Sequence, residues 1–300
     1  MNAFDRLSPT VQGILLIVTS IFLLSVMDAL AKGLAQRLDV FQVVWARYTS
    51  QTLVAVLILL PRLKTVVRTR HIGMQLIRSA FLFGATVCFF FGIVRVGLAQ
   101  ASAIMEINPM LITIGAFVLL GEPFGIRRAL GVSVGLLGAL IIIRPGSEVF
   151  SLAALFPVVA AFLNAGYSLT TRFLGREESI WTSFLYSTAI GTLVASLIVP
   201  WFWTRPEPFD WLLMMLIGVF GGAGHLCLIR AFSVAEAGAI APISYGGIVF
   251  ATFWGFMFFD EYPDIWVYAG AVVIIGAGIY VWYREYTLAK QAAQAANGRS

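Results

Sequence analysis

The sequence predicts an all-α integral membrane protein with ten spanning helices, arranged as two five-helix repeats inserted in opposite senses. Three observations predict it. Of the 300 residues, 60% are hydrophobic and 12% charged, with a mean hydropathy of +0.90, where a soluble domain holds about 45–50% apolar and about 25% charged residues. Ten apolar runs of spanning length follow one another along the chain. The two halves repeat at one constant shift of 139 residues, without a gap.

The runs lie near 13–33, 41–60, 73–94, 99–120, 128–143, 152–171, 181–200, 211–229, 237–259 and 265–283. A stretch of about 18 or more apolar residues nearly free of charge reads as a bilayer span. Strands would alternate apolar and polar positions over about 10 residues, and these runs are continuous. The connections are too short for a soluble domain, so one membrane domain is expected. Its first repeat covers about 11–145, its second about 150–284, and residues 285–300 form a cytoplasmic tail. The first run follows Arg6 and contains Ala29-Leu30-Ala31, as a cleaved signal peptide would. The repeat argues against cleavage, because the equivalent segment of the second half lies mid-chain.

The shift of 139 pairs Pro61 with Pro200, Cys88 with Cys227, Glu122 with Glu261 and Gly131 with Gly270. Apolar matches are cheap in such a composition; proline, cysteine, glutamate and glycine matches at a single shift are not. Five spans is an odd number, so the second half enters the membrane from the opposite side. Inverted repeats give inward-open and outward-open states of comparable energy, which is the architecture of many secondary transporters.

The charges sort by side. With a cytoplasmic N-terminus, Arg62, Lys64, Arg68, Arg70, Arg127, Arg128, Arg172 and Arg176 fall inside with the basic residues of both termini and Arg230. Only Lys32, Arg37, Arg95, Arg144 and Arg205 fall outside. This excess obeys the positive-inside rule and places both termini in the cytoplasm. The net charge of +5 is thereby explained without a nucleic-acid partner. Cys88 and Cys227 both lie within spans, form no metal-type spacing and read as small packing residues.

The segment LLGEPFGIRRALGVSVGLLGALIIIRPG, Leu119 to Gly146, and its counterpart FFDEYPDIWVYAGAVVIIGAGIYVW, Phe258 to Trp282, resemble the EamA family of the drug/metabolite transporter superfamily. The resemblance covers nearly the whole chain. The opening SVMDALAKGLAQRLDVFQVVWARY, Ser25 to Tyr48, is similar to a bacterial branch with amino-acid, S-adenosylmethionine and riboflavin transporters. The resemblance implies a bacterial inner-membrane protein with a ten-helix basket fold. Helices 1–4 and 6–9 would surround a central cavity, with helices 5 and 10 at the periphery.

A charge at membrane depth costs about 2.5–3.5 kcal/mol on insertion scales, so each needs a partner or a wet cavity. Asp28, Lys32, Arg47 and Glu106 are the informative set. Asp28, Arg47 and Glu106 sit at similar depth on three spans, and Asp28 and Lys32 are four apart on one helix face. Two readings stand. The four form a structural ion-pair cluster, or Arg47 or Lys32 meets an anionic substrate group while Asp28 or Glu106 meets a cationic one or carries a proton. A zwitterionic substrate suits both signs.

Asn108-Pro109 and Pro242 interrupt otherwise helical runs, because proline removes a backbone donor. Such breaks are tolerated only against protein or water and often form transporter sites. Asn164, Tyr167, His225, Ser244 and Tyr245 are the second-half candidates. A buried His225 titrates near neutral pH and would couple transport to protons; the alternative is a hydrogen bond to a neighbouring helix. Arg78 is five residues into its span and is expected to snorkel to the surface. Gly131/Gly135 and Gly218/Gly222 permit close helix contact within one chain, and the protein is expected as a monomer or homodimer. Trp181, Trp201, Trp203, Trp211, Trp266 and Trp282 stand at span ends as an interfacial belt would place them, and Trp254 is the deepest.

An ATP-driven pump needs GxxxxGK[ST], which the sequence lacks. HExxH, GxSxG and paired-histidine spacing are likewise missing, so neither an enzyme, a cofactor nor a metal is expected. A channel or lipid scramblase would gain nothing from the repeat. The expected function is a secondary active transporter or exchanger of amino acids or related zwitterionic metabolites. The alternative is an uptake carrier for S-adenosylmethionine or riboflavin.

Overall fold

The computed structural model describes residues 9–120, 126–144, 151–174, 178–234 and 246–297. All regular structure among them is helical. In chain order the helices are α1 (Pro9–Ala35), α2 (Val40–Leu59), α3 (Leu63–Val66), α4 (Ile72–Val96), α5 (Leu98–Met105), α6 (Asn108–Leu120), α7 (Ile126–Ile143), α8 (Leu155–Leu174), α9 (Ile180–Ile198), α10 (Pro208–Val234), α11 (Gly247–Phe259) and α12 (Ile265–Asn297). Among the described residues, seven helical segments are long and apolar enough to cross a membrane, and Ser133–Ile143, Gly247–Phe259 and Ile265–Tyr280 are shorter apolar helices. Leu57, Leu119, Leu193, Phe258 and Val272 are exposed. An apolar exterior of this kind is stable only against hydrocarbon. This is a multi-pass membrane protein.

The repeat is visible in the helix ends. α6 and α11 are both 13 residues long, and each begins and ends 139 residues from the other. α7 and α12 begin at Ile126 and Ile265, again 139 apart. Pro61 and Pro200 each open a 3₁₀ turn, Leu60–Arg62 and Val199–Phe202, at the ends of α2 and α9. Proline suits that position because its missing N–H would have no partner there.

Packing follows the same exchange of halves. α1 packs along α10, and their counterparts α8 and α4 pack along each other. α7 packs on α12 and α2 on α9, so each of these pairs joins equivalent helices. Glycine permits the closest approaches. A Cβ on Gly270 would stand 2.6 Å from the Gly138 carbonyl oxygen, so α7 and α12 cross backbone to backbone. Gly218 of α10 lies against Ser50 and Gln51 of α2, and Gly191 of α9 against the Tyr48 ring.

The run at 99–120 is broken, as Asn108-Pro109 predicts. α5 ends at Met105, tight turns carry Glu106 and Ile107, and α6 starts at Asn108. Pro109 therefore occupies the first turn of a helix, where it costs no backbone hydrogen bond. Pro242, Ser244 and Tyr245 lie outside the described residues. α12 continues past the apolar run to Asn297, because the Ala-, Gln- and Lys-rich end of the chain has high helix propensity.

Candidate functional site

Buried and half-buried polar side chains on α1, α2, α4, α8, α9 and α10 gather in the interior. Arg47 of α2 is 7% exposed. Its Nη1 donates to Thr86 Oγ1 of α4 at 2.9 Å, and the guanidinium lies 5.5 Å from the Tyr48 and Phe90 ring centroids. Thr86 gives its proton to the Leu82 carbonyl at 2.9 Å, so the Tyr48 hydroxyl, 3.0 Å away, is the donor to Thr86 Oγ1. Arg47 Nε is buried without a hydrogen-bond partner, and so is Asp28 Oδ1 of α1. A Cβ on Gly221 of α10 would stand 2.7 Å from Met27 Sδ and 3.8 Å from Gln51 Oε1, so α1, α2 and α10 converge one turn from His225. His225 Nδ1 lies 2.9 Å from the Gly221 carbonyl. A carbonyl only accepts, so Nδ1 carries the proton, and whenever the ring is neutral Nε2 is an acceptor.

Arg78 of α4 corrects the sequence expectation. It does not snorkel; it is 4% exposed. Its Nε donates to Thr171 Oγ1 at 2.6 Å, Nη1 to the Ser183 carbonyl and Ser187 Oγ at 2.7 Å each, and Nη2 to the Tyr167 hydroxyl at 2.8 Å. The Tyr167 ring also lies 4.6 Å from the guanidinium. Hydroxyls of α8 and α9 offer the fork a better environment than the path to the surface would.

Lys32 turns away from Asp28. It forms an ion pair with Glu261 in the turn between α11 and α12, and its ammonium lies 4.9 Å from the Phe259 ring centroid. Glu261 Oε2 also accepts the Leu98 N–H at 2.9 Å. Two glycines make room for this carboxylate: a Cβ on Gly97 would stand 2.9 Å from Oε1, and one on Gly255 3.0 Å from Oε2. Gly97 further has φ 95°, where a side chain is strained. Around the same end, Arg37 pairs with Asp210 at 2.5 Å, Arg144 pairs with Asp264, and Gln42 exchanges two 2.9 Å hydrogen bonds with the Thr204 backbone. A cleft of about 400 Å³, bordered by Gly97, Gln100, Arg144 and Glu261, leads to the Glu261 carboxylate from this end.

The remaining predicted residues are spread out. Glu106 sits in the α5–α6 break, its Oε1 3.8 Å from where a Cβ on Gly247 would be, and makes no ion pair among the described residues. Asn108 Nδ2 donates to the Ala161 carbonyl of α8 at 2.9 Å, fastening the break to the second repeat. Asn164 is half-buried on α8. Trp254 Nε1 donates to Ser25 Oγ at 3.0 Å. The shift of 139 relates Ser25 to Asn164, Asp28 to Tyr167 and Thr86 to His225, so the polar residues occupy equivalent places in the two halves. No group of three His, Cys, Asp or Glu side chains suited to a metal occurs among the described residues.

The EamA-like transporter family matches the chain twice, over residues 11–144 and 151–283. The chain belongs to this family. The two EamA-like matches end 139 residues apart, the shift read from the sequence. Among EamA-like relatives, the pseudopaline exporter CntI of Pseudomonas aeruginosa is 33% identical over 89% of this chain and 95% of that protein. The S-adenosylmethionine uptake transporter of Rickettsia prowazekii is 25% identical over 94% of this chain and 96% of that one. The riboflavin transporter of Brucella anthropi is 27% identical over 78% and 86%. These relatives are named as transporters, not enzymes. A solved crystal structure superposes with a TM-score of 0.64 at 21% identity, covering 92% of this chain and 98% of that one, which shows the fold.

Sequence reasoning took Glu261 only as a mark of the repeat and missed it as the partner of Lys32. The signal was available: the charge-sorted topology puts Lys32, Gly97 and Glu261 on one side of the membrane. Thr86 and Tyr48 carried no such signal, since hydroxyls are common in spans.

Proposed function

We propose that this EamA-like protein is a secondary carrier of small organic metabolites. It has ten spans in two inverted five-helix repeats, about 11–145 and 150–284, and works by alternating access. The repeat carries this reading. α6 and α11 share a length and a shift of 139, and the polar interior falls at shift-equivalent positions. The long-range contacts support the opposed insertion. Lys32–Glu261, Arg37–Asp210, Arg144–Asp264 and Gln42–Thr204 each join residues that ten spans would place outside. Thr69–Glu178 and Tyr186–Val67 join residues near the inside. The positive-inside distribution supports cytoplasmic termini and a place in a bacterial inner membrane.

Amino acids and related zwitterions are the proposed substrates, with S-adenosylmethionine or riboflavin, the cargoes named for two relatives, as the alternative. His225, with Nε2 left as an acceptor, is the proposed proton-coupling group. The test is counterflow in proteoliposomes preloaded with unlabelled amino acids, S-adenosylmethionine or riboflavin. A carrier gives saturable, transient accumulation of the labelled compound. Flux that rises linearly with concentration and never overshoots would reject the carrier in favour of a channel.

A further inference from the structure

Glu122 and Glu261 occupy the same place in the two repeats, and Glu261 ties three elements together. It sits in the turn between α11 and α12. Its Oε1 pairs with the Lys32 ammonium near the end of α1, and its Oε2 accepts the Leu98 N–H in the first turn of α5, where a carboxylate also meets the positive end of the helix. The ends of α1 and α11 close up around this contact. A Cβ on Gly33 would stand 3.9 Å from the Phe259 ring, and Lys32 is 5% exposed. On one side of the contact, Glu261 borders the cleft of about 400 Å³. On the other, Ala31, Leu34, Leu98 and Ala101 belong to one buried core, and Ala101 lies one turn deeper on α5 than Gly97.

Inverted repeats could place the same contact at the opposite end of the bundle, but the second repeat lacks the residues for it. The shift of 139 relates Glu261 to Glu122, but Lys32 to Thr171 and Gly97 to Glu236. Thr171 has no charge, and its hydroxyl is in use: it donates to the Tyr167 carbonyl at 2.7 Å and accepts from Arg78 Nε at 2.6 Å. The glycine that leaves room for Glu261 is a second acid in the other repeat. A copy of the contact would therefore bring two carboxylates together with no lysine between them. The other ion pairs between described residues, Arg37 with Asp210 and Glu207 and Arg144 with Asp264, stand with Lys32–Glu261 at the outer end. Near the inside, Thr69 and Arg70 reach Glu178 through a hydroxyl and a backbone N–H, and Tyr186 reaches the Val67 carbonyl. We infer that the Lys32–Glu261 pair is a latch: it holds the outer end shut in the resting protein, parts when that end opens, and has no copy at the inner end. This rests on the alternating-access reading and adds an inequality between the two ends. The repeat supplies two states of comparable backbone energy, and the latch tips the balance toward the one closed outside. When the latch parts, both charges pass to the wet cleft and not to hydrocarbon, so opening is possible.

The test is accessibility from outside. Ala101→Cys places a thiol behind the latch, because Ala101 is 0% exposed. A membrane-impermeant maleimide added to spheroplasts holding the full-length protein labels that thiol only when the outer end opens. The rate is taken above that of Cys88 and Cys227 in a protein without the new cysteine. The main variant combines Lys32→Met with Glu261→Gln; it removes the latch and leaves no unpaired charge, so it separates opening from instability. Labelling should become about 10-fold faster or more. Gly270→Ala, which loosens α7 from α12 away from the latch, should label like the parent. Glu261→Asp keeps the charge and withdraws it by one methylene. It should label faster than the parent and slower than the double variant, and it decides the question if the double variant does not reach the membrane folded. Labelling at the parent rate in the folded latch variants means that the pair is a fixed tie and overturns the latch. Equal acceleration by Gly270→Ala would report instability alone and also overturns it. Saturable counterflow in a protein whose labelling ignores the latch variants would sink the latch and leave the carrier standing. Faster labelling without counterflow of amino acids, S-adenosylmethionine or riboflavin would sink the carrier and leave the latch.

Discussion

Glu261→Gln isolates the energetic role of the ion pair that closes one end of the bundle. The Lys32 and Glu261 side chains are 7% and 23% exposed, so both charges are largely desolvated. Glutamine keeps an oxygen for the Leu98 N–H and removes only the charge. What remains is an ammonium at the end of α1 with the Phe259 ring for company. Removing one partner of a buried pair costs about 3–5 kcal/mol, and the independent cost of a charge at membrane depth, about 2.5–3.5 kcal/mol, agrees. Lys32→Met should cost less, since Glu261 keeps the Leu98 hydrogen bond and partial access to the cleft. The double variant has no unpaired charge, so it should recover most of the loss, giving a coupling energy of about 2 kcal/mol or more. Unfolding in mixed micelles titrated with denaturing detergent measures all four proteins on one scale. A Glu261→Gln loss below about 0.5 kcal/mol, the level of an exposed pair, would refute the reasoning, as would a double variant whose loss equals the sum of the single losses.

Gly270→Ala places a methyl 2.6 Å from the Gly138 carbonyl oxygen; α7 and α12 must separate, and a loss of about 1–3 kcal/mol should appear as a lower melting temperature. Gly97→Ala should be strongly destabilising because of its φ of 95° and the nearby Glu261 Oε1, while Gly73→Ala, with nothing within 4 Å, should be neutral or slightly stabilising by helix propensity; equal melting temperatures for the two variants would contradict this. Arg78→Lys keeps the charge but cannot reproduce four fork hydrogen bonds; it should lower the melting temperature without changing which compounds stabilise the protein. His225→Gln should flatten the pH dependence of counterflow, and a profile identical to the parent protein's would exclude His225 as the coupling group.

The positions of the spans were legible because hydrocarbon demands uninterrupted apolar length, and composition alone reports that. The break at Asn108-Pro109 was legible because proline acts on its own backbone. Partnerships were not. Asp28 and Lys32 look paired along α1 because they are four residues apart, but Lys32 reaches Glu261, 229 residues further along the chain. A local spacing rule has no access to a partner brought in by tertiary packing. Arg78 failed for a related reason. Five residues from a span end is within snorkelling reach, and only the fold shows that Tyr167, Thr171, Ser183 and Ser187 converge there.

The repeat is symmetric in backbone and asymmetric in charge, and the asymmetry bears on mechanism. Asp28, Lys32, Arg47, Arg78 and Glu106 all belong to the first half, and their counterparts at the shift of 139 are Tyr167, Thr171, Tyr186, Ile217 and Tyr245, none of them charged. Two of those counterparts, Tyr167 and Thr171, supply hydrogen bonds to Arg78. One half thus carries charge and the other helps to solvate it. Duplicating the charges would add about 2.5–3.5 kcal/mol per residue at membrane depth and would present a small substrate with two competing, oppositely oriented sites. Alternating access needs symmetry only in how the helices rock against each other. Recognition of a molecule with a distinct head and tail needs a site with one orientation. Placing Asp28, Lys32, Arg47, Arg78 and Glu106 in the first repeat would meet both requirements. Moving them should therefore uncouple binding from the scaffold. In Asp28→Tyr combined with Tyr167→Asp, the carboxylate passes to the second repeat, beside Arg78. That protein should keep its helical content and lose substrate recognition, read as unchanged circular dichroism with no stabilisation by any compound that stabilises the parent protein. Retained stabilisation would show that the site is as symmetric as the fold.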